Sequence, residues 1–198
     1  WGIRTNLPHR INYQAAFDLE KSEDQHLQAQ IIADGLAQFK QLHSYEASFF
    51  VPPNGPFNRA LEQVAKDEGI RYLSTAKVQH EPLGNGKTRS VFNYLGKKSK
   101  SDLIYLTRNC FFEPSRYGEN AIESCLQEVD IAFRWQKPAV ISTHRVNYIG
   151  ALNENNRKVG LDLLRRLLAK ITEQYPTVAF MSSSELGALI SGERHPNS

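Results

Sequence analysis

Apolar positions along this chain fall into short continuous runs and longer stretches repeating every three or four residues, and the two kinds alternate almost throughout. Leu27, Ile31, Leu36, Phe39 and Leu42 recur at helical spacing behind Ser22 and Asp24 as candidate caps, which predicts an amphipathic helix over 25–42. A second helix is predicted from Asn58, its cap, to Glu68, with Leu61, Val64 and Ala65 inward and Gly69 as the stop. Ile122, Leu126, Val129 and Phe133 mark a helix over 120–135. The broadest stripe, Val159, Leu163, Leu164, Leu167, Leu168 and Ile171, marks a helix over 155–175 that stops at Pro176, and a short helix is predicted over 183–190. Between them the short runs predict strands near 48–51, 70–73, 103–106, 139–142 and 178–181. Strand and helix alternation of this kind predicts an α/β fold with parallel strands.

Several predicted strands end abruptly in polar residues. Ala139 to Ile141 stops at Ser142, Thr143, His144 and Arg145, and the run over 103–106 stops at Thr107, Arg108, Asn109 and Cys110, with Glu113 just beyond. In a parallel arrangement strand C-termini share one face, which predicts one cleft lined from Pro52–Asn54, Asn109–Glu113 and His144–Arg145. His144 is the leading candidate within it. The segment 74–102 carries the fewest periodic positions and reads as a long irregular stretch, with His80 and Glu81 as candidate ligands or acid/base groups and Lys97, Lys98 and Lys100 as a solvated tip. Its Gly86-Lys87-Thr88 is not a phosphate loop, because Glu81 stands where that motif needs glycine. Residues 1–20 read as a loop with a short element near Tyr13 to Phe17, and 192–198 as a frayed tail.

Length and charge narrow the function classes. The 198 residues suffice for one domain, and a net charge of +3, from 24 basic and 21 acidic side chains, argues against nucleic acid as a partner. Two cysteines, Cys110 and Cys125, are too few for a disulfide framework and lack structural-zinc spacing, so both are expected to be reduced thiols, compatible with the cytoplasm. No stretch approaches a membrane span and no signal-peptide pattern is visible, which predicts a soluble protein. The chain starts at Trp1 rather than Met, and a preceding segment is expected.

Phe50-Val51-Pro52-Pro53-Asn54-Gly55-Pro56-Phe57-Asn58, together with the next helix and Gly69-Ile70, resembles the Arg-Pro-Pro-Tyr-Gly loop, helix and strand of polysaccharide deacetylases of the NodB-homology type, in particular a bacterial branch. Ile141-Ser142-Thr143-His144, near the last long helix and the closing Ser-Ser-Glu-Leu, resembles that family's Leu-x-His strand end. The resemblance covers the chain from about Phe49 onward and implies the C-terminal portion of a distorted (β/α) barrel. It implies metal-assisted removal of N- or O-acetyl groups from a polysaccharide: a zinc-type divalent metal polarises the acetyl carbonyl and activates water, and a histidine protonates the departing amine. Carried over, His144 is the general acid, Arg145 and Glu113 accompany it as catalytic candidates, and Pro53, Asn54, Gly55, Asn109, His80, Glu81 and Asn147 are candidates for substrate binding. The family's Asp-Asp pair and His-x-x-x-His motif have no counterpart, Val51 and Asn54 replace the loop arginine and tyrosine, and the Asn109/Glu113 segment replaces an Asp-x-x-Trp strand end. The metal ligands are therefore expected upstream of Trp1, with His144 as a candidate ligand, and the chain is expected to be an incomplete barrel of about five parallel strands that associates with the missing upstream half. Two alternatives stay open: an inactive glycan-binding module on the same fold, and a glycosidase using Glu113 with Glu81 as a carboxylate pair. Tyr148, Trp135, Phe57 and Phe112 are the aromatics available for stacking on sugar rings.

Overall fold

A computed structural model describes residues 16–53 and 55–192. In chain order the elements are α1 (Gln25–His43), β1 (Phe49–Phe50), α2 (Glu62–Asp67), β2 (Tyr72–Thr75), β3 (Val78–Gly84), β4 (Lys87–Phe92), β5 (Ile104–Thr107), β6 (Cys110–Phe111), α3 (Pro114–Tyr117), α4 (Asn120–Arg134), β7 (Ile141–Ser142), α5 (Glu154–Gln174) and α6 (Ser183–Ser191), with 3-10 turns at Ser22–Asp24, Arg59–Leu61 and Arg145–Tyr148. The fold is mixed α/β, with parallel strands and flanking helices, and the described residues form no closed barrel. Two compact units result: one holds the residues up to Thr107 and those from Met181 onward, the other Arg108–Phe180. Among the described residues no helix is long and apolar enough to cross a membrane. Asn54, most of the N-terminal loop and the tail beyond Gly192 lie outside the described residues.

In the first unit the parallel sheet has the order β1-β2-β5, and every residue of β2 and β5 is buried. Both faces of these strands are covered, which is why they read as short unbroken apolar runs. The core beside them joins Phe17, Ile32, Phe57, Leu61, Ala65, Ile70, Leu73, Leu103 and Tyr105, so Phe57 is core and not a sugar platform. Helix α1 buries Gln28 and Ile32, whereas Leu27, Ile31 and Leu42, expected to face inward, are exposed. The helix carries two apolar stripes, and Gln28 enters the buried one because its amide donates to the Asp18 carbonyl at 3.2 Å. Asp24 precedes α1 without making a side-chain cap bond.

The expected irregular stretch over 74–102 is instead largely an antiparallel hairpin, β3 with β4. Its turn is Asn85-Gly86, with φ of 55° and 69° at the two positions, the two left-handed residues that a type I′ turn demands. Polar side chains anchor this hairpin to the 3-10 turn before α2. Asn58 caps that turn by accepting from the Ala60 N–H at 2.9 Å and donates to the Pro82 carbonyl at 2.8 Å. Glu81, only 2% exposed, accepts from the Arg59 N–H at 3.0 Å and from Arg89 Nη2 at 2.6 Å. Glu81 therefore spends both oxygens on the fold. Helix α6 opens with a capping box between Ser182 and Glu185, and Gly187 packs flat against the Tyr72 ring.

The second unit has its own core, Cys110, Phe112, Ala121, Ile122, Cys125, Leu126, Val129, Leu163, Leu167 and Ile171, built from α4, α5 and β6. Phe112 belongs to it, fully buried. Both cysteines are free and buried, and burial, with Cys110 alongside, pushes the Cys125 thiol up to about 12. The expected strand over 178–181 does not form: Phe180 and Met181 are exposed, and the segment pairs with none of the described strands. Among the described residues the parallel strands are thus three in one sheet and two in another, not five in one.

Two measurements check this packing. A Cβ at position 187 would overlap the Tyr72 ring, itself 1% exposed, so Gly187→Ala is expected to lower unfolding stability by about 1–3 kcal/mol in denaturant titration. Tyr105 donates to the buried Glu62 carboxyl, and burial, outweighing that bond, holds Glu62 above its ordinary value of 4.5. The folded state therefore favours protonated Glu62, a contribution fully present below pH 4.5 and lost as pH rises through the folded value. Glu62→Gln removes this dependence, so stability measured from pH 4 upward is expected to fall more for the natural chain than for the variant.

Candidate functional site

Strands β6 and β7 pair in parallel with Cys110 beside Ile141 and Phe111 beside Ser142. The Phe112 N–H donating to the Ser142 carbonyl at 2.9 Å carries the pairing one step further. Continued by two residues, this register sets Glu113 beside His144, on the same face as Phe111 and Ser142, because side chains alternate along extended backbone. The two side chains meet there: His144 Nδ1 lies 2.6 Å from Glu113 Oε1. The carboxylate is nearly covered at 17% side-chain exposure, while the imidazole is 71% exposed. With Nδ1 turned to the carboxylate, Nε2 is the ring nitrogen left to meet a reactant.

Asn147 fixes this pair from behind. It sits in the 3-10 turn Arg145–Tyr148, is fully buried, and donates through Nδ2 to Glu113 Oε2 at 2.8 Å. The same amide group is shared with the His144 carbonyl at 2.9 Å and Thr143 Oγ1 at 3.1 Å. Its Oδ1 accepts from the N–H and the hydroxyl of Ser115, at 3.0 and 2.5 Å, at the start of α3. The Asn147 carbonyl in turn rests on Gly160 of α5, where any Cβ would overlap it. Thr143 Oγ1 and the Tyr148 hydroxyl are 2.8 Å apart, and burial pushes the Tyr148 phenol above its ordinary range. Both stay neutral hydrogen-bonding groups at the edge of the site.

The other predicted site residues take varied places. Arg145 is exposed beside His144, with no hydrogen bond or ion pair among the described residues. Asn109 bridges the strands instead of facing outward: it donates to the Pro138 carbonyl at 2.9 Å and accepts from the Val140 N–H at 2.6 Å. Asn147, expected at a substrate surface, is a buried brace. Pro53 and Gly55 are exposed in a turn of the first unit, as is His80 on β3, where Ser90 Oγ lies 3.4 Å from its Nδ1. Among the described residues no group of three or more His, Cys, Asp and Glu side chains could hold a metal ion.

Comparison of the chain with protein-family models, with curated proteins and with solved structures gives no match. The geometry of the site therefore carries the functional argument. Ser115 and Gly160 were not marked by the sequence pattern, whereas Thr143 stood in the polar strand end from Ser142 to Arg145. Only Gly160, a lone glycine inside the strongest helical repeat, carries a local sign of close backbone approach.

Replacing Asn147 with alanine strands the Ser115 donors and removes a bond from Glu113. Asn147→Ala is expected to cost about 1–3 kcal/mol of stability, read by denaturant unfolding, and to loosen the His144 ring, read as altered imidazole NMR shifts.

Proposed function

We propose that this chain is a carbohydrate-active hydrolase of the polysaccharide-deacetylase type, which removes N- or O-acetyl groups from a glycan with His144 as its proton-transfer group. The observation that carries the proposal is the Glu113–His144 pair at 2.6 Å, with the ring exposed and the carboxylate braced through its other oxygen by Asn147. A carboxylate on Nδ1 selects the tautomer that leaves Nε2 basic and stabilises the imidazolium that forms when Nε2 takes a proton. Hydrolysis of an acetyl amide needs this: a proton leaves the attacking water, and a proton reaches the departing amine. His144 Nε2 supplies the second step in this proposal, and Arg145, exposed beside it, supplies a positive charge for the oxyanion or for an acidic group on the glycan.

The β1-β2-β5 and β6-β7 parallel pairs are consistent with segments of a distorted (β/α) barrel, the finer architecture we propose. The deacetylase reading also implies a divalent metal of zinc type, which would polarise the acetyl carbonyl and activate water. The described residues do not supply its ligand set. Glu81 has no place in the proposal, because Arg89 and the Arg59 N–H occupy its carboxylate.

Acetate release from acetylated chitooligosaccharides tests the proposal. His144→Ala is expected to lower kcat/KM by roughly 10²–10⁴-fold, the usual contribution of a positioned acid or base, with Glu113→Gln lowering kcat in the same direction. Full activity in His144→Ala would overturn the assignment of the site. Glycan binding without acetate release by the natural chain, supplied with zinc, would instead identify an inactive glycan-binding module.

A further inference from the structure

The first unit contains a cavity of about 400 Å³ that the hydrolase reading leaves unused, between the 3-10 turn at Arg59, strand β4 at Arg89, the 97–101 loop and Tyr105. Its wall includes five basic residues, Arg59, Arg89, Lys97, Lys98 and Lys100, and one acidic residue, Glu62. They come from three separated segments of the chain, so their convergence is a product of the fold and not of a local run of charge.

Their partners do not neutralise them. Arg89 pairs with Glu81 at 2.6 Å. Lys97 Nζ reaches only neutral acceptors, the Phe92 carbonyl at 2.5 Å and Asn93 Oδ1 at 3.3 Å. Lys98 and Lys100 have no hydrogen-bonding or ionic side-chain partner among the described residues. The Arg59 Nε is buried with no hydrogen-bond partner among the described residues. Arg59 lines the cavity, and its guanidinium has no hydrogen-bonded anion among the described residues, so its charge is left for a partner in the cavity. Set against Glu62 and Glu81, the five cations leave three positive charges without a counter-charge among the described residues.

We propose that this cavity binds a tetrahedral oxyanion, a phosphate or sulfate group, with the Arg59 guanidinium as its anchor and Lys98 and Lys100 closing over it. Three uncompensated charges exceed what one carboxylate would balance, and a guanidinium fork matches the paired oxygens of a phosphate or sulfate. The volume lies within the range of small-molecule sites and exceeds that of a bare ion, leaving room for a polar carrier such as a sugar ring.

Titration calorimetry of the whole chain tests this with inorganic phosphate, inorganic sulfate, glucose 6-phosphate and glucosamine 6-sulfate, with acetate as monoanion control at matched ionic strength. Saturable binding of at least one tetrahedral oxyanion, and none of acetate, is expected. Arg59→Gln should weaken it roughly tenfold or more, as should the double variant Lys98→Gln with Lys100→Gln, whose exposed side chains are not needed for folding. Tighter binding of a sugar ester than of its free ion would make the ester the physiological source, and equal binding would make the free group sufficient. Absence of saturation with all four probes would overturn the proposal, as would affinity unchanged in the double variant or acetate binding as tightly.

Discussion

Two-residue strands make too little ladder to hold a register by themselves, yet in the second unit the register is what brings Glu113 to His144. The stabilising bonds are supplied from outside the ladder. Asn109 spans the two strands through both ends of its amide, and the Phe111 N–H is taken up by Glu128 Oε2 of α4 at 2.6 Å. Asn147 then binds the loops that continue both strands, and Gly160 lets the backbone of α5 come close enough to support it. Each link is a buried or half-buried polar group with its partners in place, and such a network is strong only while complete.

The first unit uses the same device for a different purpose. Asn58, Gln79, Glu81 and Asn93 are all buried, and their side chains bind loop backbone, Arg89 or one another across the hairpin and the turn before α2. Buried carboxamides here do what longer strands do in larger sheets: they specify which loop meets which strand end. The cationic cavity is a by-product of that arrangement, because the turn and hairpin that these side chains join are the ones bearing Arg59 and Arg89.

Much of this was legible in the amino-acid sequence where periodicity and burial coincide. Helices α4 and α5 match their predicted bounds almost to the residue, although Val159 and Leu168 of the predicted α5 stripe are exposed, and Asn58 is the cap its position suggested. His144 and Glu113 could be singled out because both come after apolar runs that end in polar residues. Their contact could not be deduced, since it depends on a register of pairing between strands separated by two helices. The hairpin was hidden by its charged, exposed β4, although Asn85-Gly86 is a turn signal in its own right. Helix α1 shows the reverse failure: periodicity finds a stripe but cannot say which of two stripes the protein covers. The run at 178–181 shows that apolar character alone, without ladder pairing, does not make a strand.

Helix α5 contains a single glycine in 21 residues, and that glycine faces the Asn147 carbonyl. Sliding the helix by one turn would place Asn156 or Leu164 there, each with a side chain where no atom fits. The helix therefore has one seating along its own axis, and the glycine works as a notch that sets it. A ruler more than thirty ångströms long, at about 1.5 Å of rise per residue, is thus indexed to the position of one imidazole ring.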